Sequence, residues 1–157
     1  MDWASVIENP LLRDLPFKIE LNKFGQILMS PASNKHGRIQ SRTVVALAKH
    51  QPTGEVITEC SVETSDGVKV ADVAWASDAF VERFGYRTPY PQAPEICIEL
   101  ISPSNTRAEI DHKIALYLEA NAQEVWIIDA DERVTVYDAD GPRSGSRVVP
   151  KFALGSQ

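Results

Sequence analysis

Cysteine is scarce, with two in 157 residues, Cys60 and Cys97. Both lie in apolar runs, ITECSV and EICIEL, where a reduced thiol behaves as a small buried hydrophobe. A disulfide scaffold is therefore excluded, and two inert core thiols are expected. No stretch approaches the roughly 20 apolar residues of a membrane span. The opening MDWASVIENP has an acidic residue and no apolar block, so a soluble, cytoplasmic protein with no membrane partner is expected. Positive charge is also in short supply. Sixteen Lys+Arg against 22 Asp+Glu leave a net charge of −6, which repels a polyanion unless the basic residues gather on one surface. Repeats, low-complexity tracts and internal linkers are absent, as are a nucleophile elbow and a Cys-His pattern, which disfavours covalent catalysis.

What remains has ordinary globular proportions, 43% hydrophobic and 24% charged, and fits one domain over residues 1–157 with a core from about 17 to 137. Residues 17–30 predict two short strands around a turn at Asn22 to Gly25, with Pro31 ending the second. Ile39, Thr43 and Leu47 then recur at helical spacing after a cap at Ser33 or Asn34. Residues 55–64 and 68–75 predict a hairpin around Ser65-Asp66-Gly67, and 77–84 a short helix capped by Ser77. Residues 95–101 read as a central strand. Thr106 and Glu109 have capping-box spacing for a helix carrying Ile110, Ile114, Tyr117, Leu118 and Asn121 on one face. Residues 124–129 and 134–137 add two strands, and Val148-Val149 a last edge. The order predicts an α+β domain around one mixed sheet.

Two carboxylates stand out because they interrupt apolar strands. Asp72 shares its expected face with Val68, Val70 and Ala74, and Glu99 shares one with Cys97 and Ile101 while Ile96, Ile98 and Leu100 fill the other. Two buried like charges need a cation or an Arg/Lys partner, and hard carboxylate oxygens suit Mg²⁺ or Mn²⁺. Pairing with a nearby Arg, or a position at a strand end in water, is the equal alternative. Lys113 lies at the edge of the helical apolar stripe, where its ammonium reaches back toward the strand ends. A Lys there orients water, takes its proton or stabilises charge developing on phosphorus, although a lone Lys in that position usually snorkels to solvent.

The runs KIEL, GQILMSP and HG, then DGVKVADVAW and APEICIELISPSNTRAEIDHKIALYLEANAQEVWIIDAD, resemble the Uma family of restriction-endonuclease-like proteins across Phe17 to Tyr137. The resemblance implies the PD-(D/E)XK nuclease fold, a mixed sheet flanked by helices. It matches Asp72 to the first motif Asp, Glu99 to the second acidic residue and Lys113 to a Lys that has migrated into the following helix. Ala71 stands where a Pro usually precedes the Asp, and Ile101 where parent nucleases carry their Lys. Glu20 matches an earlier acidic residue and His36 a His after the Ser-Pro. From its alternation with Phe17, Ile19 and Leu21, Glu20 is equally compatible with a solvent-facing position. His36 is as compatible with capping or packing, and Tyr117 with the helix core.

Three functions follow. The first is a divalent-metal-dependent DNA endonuclease leaving a 5′-phosphate, with Asp72 and Glu99 holding the ion, Lys113 assisting water and Glu20 supporting the site. It requires Lys35, Arg38, Arg42, Arg83, Arg87 and Arg107 to offset the acidic surface. The second is a non-catalytic binding or structural member of the same fold, its carboxylates held in ion pairs. The third is a phosphoesterase acting on nucleotides or small phosphates. A homodimer is expected from the resemblance, since two strands need two sites.

Overall fold

The computed structural model describes residues 1–155. Asp2 caps a short helix, α1 (Trp3–Glu8), by accepting from the Ser5 amide at 2.8 Å. An antiparallel ribbon follows, β1 (Phe17–Leu21) with β2 (Ile27–Pro31), its turn closed by the Asn22 carboxamide oxygen, which accepts from the amides of Phe24 and Gln26. Ser33 caps α2 (Asn34–His50), so the expected cap and the buried stripe of Ile39, Thr43 and Leu47 are both present.

Six further strands form a mixed sheet: β3 (Glu55–Thr64), β4 (Gly67–Ala76), β5 (Ile96–Leu100), β6 (Glu124–Ile128), β7 (Val134–Asp138) and β8 (Gly141–Arg143), adjacent in that order. Among the described strands of this sheet only β5 and β6 pair in parallel, and α4 (Arg107–Glu119) makes the crossover between them. Every residue of β5 and β6 is buried, as expected of central strands covered on both faces. One face packs Phe80 and Phe84 of α3 (Asp78–Phe84) with Ile110, Ile114 and Tyr117 of α4. The opposite face packs Ile39 and Leu47 of α2 with Trp126, Val149 and Phe152. The result is a helix, sheet, helix sandwich.

Four expectations are corrected. The strands form two sheets rather than one, because β1 and β2 pair only with each other; with α1 they cover Val68 and Val70 of β4 through Trp3, Val6 and Leu21. Val148-Val149 is not an edge strand: Val149 is buried against α2, and the edge is β8. On α4 the buried residues are Ile110, Ile114, Leu116 and Tyr117, whereas Leu118 is half-buried and Asn121 lies beyond the helix at φ 80°. Asn121 tolerates that left-handed conformation, which turns the chain into β6.

The last correction bears on the site. Val68 and Val70 belong to the α1 side, but Ala71 and Ala74, three residues apart, share the α4 cluster, which a regular strand does not allow. Ile57 and Cys60 show the same shift on β3, centred on Glu59 at φ 51°. The pleat changes phase on both strands together, and Asp72 sits at that change with no regular face of its own.

The ribbon reaches this region because the β3–β4 hairpin turns at Gly67 with φ 76°, and a Cβ there would lie 2.5 Å from the carbonyl oxygens of Leu21 and Asn22. Gly67→Ala therefore carries about 1–2 kcal/mol of backbone strain and forces β1 away from β4. Urea unfolding should show a loss of at least that size; an unchanged midpoint would contradict this account of how β1 is seated.

Candidate functional site

β4 and β5 pair through Trp75↔Ile96, Ala74↔Cys97 and Val73↔Ile98. The next step of that register sets Asp72 opposite Glu99, and there the ladder stops: Asp72 Oδ2 takes the Leu100 amide at 2.8 Å instead. Asp72's own carbonyl accepts from the Gln40 side chain of α2 at 2.8 Å, which also donates to Glu59. Two buried carboxylates are thus brought face to face where two strands part, an arrangement that like charges oppose.

Lysines resolve it. Lys18 Nζ, from β1, donates to Asp72 Oδ1 at 3.2 Å and to Glu99 Oε2 at 2.8 Å. Lys113 Nζ, from α4, donates to the other Glu99 oxygen at 3.1 Å and to Glu20 at 2.5 Å. Tyr117 donates its hydroxyl to the same Glu99 oxygen at 2.7 Å, and Glu20 also accepts from the Val70 amide at 2.7 Å. His36 Nε2 lies 3.4 Å from Asp72 Oδ1.

The structure therefore brings together Asp72, Glu99, Lys113, Glu20, His36 and Tyr117. Glu20 is buried and does not face solvent, and Tyr117 is both a core residue and a donor to Glu99. Lys18 is the member that sequence reasoning missed. It lies two residues before Glu20, and alternation puts it on the same face of β1, so the signal was present once Glu20 was taken as inward. Of the basic residues needed to offset the acidic surface, Arg42 and Arg107 are taken up by Glu132 and Asp111. Lys35 and Arg38 are exposed on the first turns of α2, flanking His36.

The electrostatics divide the three carboxylates. Burial opposes ionisation of Asp72, but the His36 hydrogen bond, Lys18 and the Leu100 amide together hold its pKa well below the usual range. Glu20 is likewise depressed: burial works against it, and Lys113 and Lys18 outweigh burial. Glu99 goes the other way, raised by burial despite Lys113 and Lys18, with Asp72 and Glu20 adding repulsion. Burial penalises the Lys18 ammonium, yet Glu99, Asp72 and Glu20 raise its pKa. The Asp72 hydrogen bond raises that of His36. Burial pushes the Cys60 thiol up to about 12, and burial first, then the charges of neighbours such as Glu99, lift Cys97 well above its ordinary value, so both stay protonated.

A divalent ion fits this donor set. Among the described residues no three His, Cys, Asp or Glu side chains form a ready-made cage. Mg²⁺ needs none, being held characteristically by one or two carboxylates with water completing its shell. Asp72 Oδ1 and Glu99 Oε2 already face a common point, because one ammonium contacts both.

The model of the Uma2 family, described as "Putative restriction endonuclease", matches residues 10–152. The chain belongs to the Uma2 family. A crystal structure described as a "putative nuclease belonging to DUF820", from Anabaena variabilis ATCC 29413, superposes with a TM-score of 0.63 at 24% identity, covering 76% of this Uma2 chain and 71% of that one. At that identity the likeness supports the fold, the six-stranded mixed sheet with its flanking helices. No curated protein matches this chain. Among the described residues no helix is long and apolar enough to cross a membrane.

The pKa directions set a signed pH dependence. A depressed folded-state pKa at Asp72 and Glu20 contributes stability above the ordinary carboxylate value, about 4, that is lost as pH falls through the folded value. Glu99, raised, contributes stability at low pH that is lost as pH rises. In urea titrations from pH 7 to 3, Asp72→Asn should lose stability less steeply on acidification than wild type, and Glu99→Gln more steeply. Parallel curves would contradict the assignment.

Proposed function

We propose that this Uma2 member is a divalent-metal-dependent nuclease that hydrolyses phosphodiester bonds in DNA. The observation that carries the reading is the convergence of Asp72 Oδ1 and Glu99 Oε2 on one cation position, with Lys113 Nζ 3.1 Å from the other Glu99 oxygen. Asp72 and Glu99 would hold Mg²⁺ or Mn²⁺, which when bound supplies Lewis-acid stabilisation of a phosphoryl oxygen and a more acidic water. Lys113 hydrogen-bonds the attacking water or the charge developing on phosphorus. Glu20 is a positioning residue, holding the Lys113 ammonium toward Glu99. Tyr117 fixes the Glu99 carboxylate from the helix side. Water adds across the P–O3′ bond, its oxygen going to phosphorus and a proton to O3′, leaving a 5′-phosphate. Lys35 and Arg38, exposed beside His36, supply positive charge for the DNA backbone against the net charge of −6. A homodimer would present one such site to each strand.

One observation favours a second reading, a non-catalytic member of the fold. Each of the three carboxylates already has a lysine partner, so the cluster is satisfied as a structural ion network. Plasmid cleavage separates the two. With Mn²⁺ present the wild type should nick or linearise plasmid DNA, and a chelator should abolish it. Asp72→Asn, Glu99→Gln and Lys113→Met should each lower the rate by about 10²–10⁴ while remaining folded. Metal-dependent turnover of nucleotides but not DNA would redirect the reading to a phosphoesterase, and no turnover of either would favour the structural role.

A further inference from the structure

We propose that Lys18 is the built-in counter-cation of this site, and that a divalent ion enters by displacing its ammonium from between Asp72 and Glu99. The inference rests on the reading that those two carboxylates hold the metal. Lys18 Nζ contacts the same two oxygens, Asp72 Oδ1 and Glu99 Oε2, that face each other across the end of the β4–β5 ladder. An ion ligated by both oxygens and an ammonium bonded to both compete for one position. Lys113 is different in kind, because it holds the opposite Glu99 oxygen and Glu20 and leaves that position open.

Charge argues for exchange rather than addition. The three carboxylates and the two lysine ammoniums paired with them leave a net charge of −1, one positive charge short of balance. Adding a dication while retaining Lys18 overshoots to one positive charge, with two cations crowded against the same oxygens. Exchanging Lys18 for the dication brings the cluster to neutrality, the least costly state for charges screened poorly by water. Asp72 is 1% exposed and Glu99 8%, so little water is present to relieve an imbalance.

Lys18 is built to leave. It sits on a two-stranded ribbon outside the main sheet, next to the exposed Phe17, and a four-carbon stem lets its head move to solvent while the strand stays in place. The ammonium thereby keeps the metal-free site folded, weakens metal binding, and is released at the rim where a phosphate would approach.

Calorimetric titration of Mn²⁺ into the wild type, Lys18→Met, Lys18→Gln and Lys113→Met tests this, with melting temperatures measured without metal. Both Lys18 variants should bind Mn²⁺ at least about tenfold more tightly than wild type and melt lower without it. Lys113→Met removes the same charge from beside the same Glu99 and should gain distinctly less. Equal gains would reduce the effect to bulk electrostatics and overturn the displacement. Wild-type binding with no gain in the Lys18 variants would overturn it and leave the metal reading standing, whereas no binding by any of the four would overturn both. A second readout needs no variant: reductive methylation of Lys18, read by mass spectrometry, should rise in wild type at saturating Mn²⁺. Unchanged protection there would contradict the exchange even if the variants failed to fold.

Discussion

Three buried carboxylates held by two half-buried lysine ammoniums impose the constraint around which the rest of this molecule is arranged. A single unpaired charge at such depth costs several kcal/mol, so removal of any one member leaves its partners badly placed. Glu99 bears most of that load, since Lys18, Lys113 and Tyr117 all donate to it. Its raised pKa marks it as the carboxylate with least to gain from ionisation, while Asp72, fixed by Lys18, His36 and a backbone amide, stays charged.

Each architectural oddity delivers one member of this network. The parting of β4 from β5 after Val73↔Ile98 leaves Asp72 and Glu99 as cross-strand neighbours on one face and frees the Leu100 amide to bond Asp72 Oδ2. The change of phase at Glu59 and Asp72, braced by Gln40, turns the Asp72 carboxylate out of the hydrophobic layers on either side. The crossover helix α4 follows β5 after the segment 101–106, starts at the capping box of Thr106 and Glu109, and presents Lys113 and Tyr117 to Glu99. The ribbon β1–β2, a separate sheet, exists at this position because Gly67 lets the β3–β4 hairpin come against its backbone.

Most of the fold was legible because its signals are local: capping residues at Ser33, Ser77 and Thr106, the turn at Gly67, and the unbroken apolar run of β5. The misses have physical reasons. Val148 and Val149 are β-branched and read as a strand, but tertiary packing against α2 overrode that preference. Helix α1 and strand β8 are too short to leave a periodic pattern. At the site, Asp72 and Glu99 announced themselves as charges inside apolar strands, whereas Lys113 lay at the edge of a stripe. Lys18 gave no such contrast, because a charged residue alternating with Phe17 and Ile19 looks like the wet face of a strand. Only the approach of the ribbon to β4, a contact between residues 54 apart in sequence, makes that face the inner one.

The central claim is that the gap between Asp72 Oδ1 and Glu99 Oε2 is a cation position, held by Lys18 in the absence of metal. Anomalous diffraction from crystals of the wild-type protein soaked in Mn²⁺ locates such an ion directly. The account predicts an anomalous peak ligated by those two oxygens, with the Lys18 ammonium moved away from both. An ion bound elsewhere, or Lys18 still bridging the two carboxylates at saturating Mn²⁺, would contradict it.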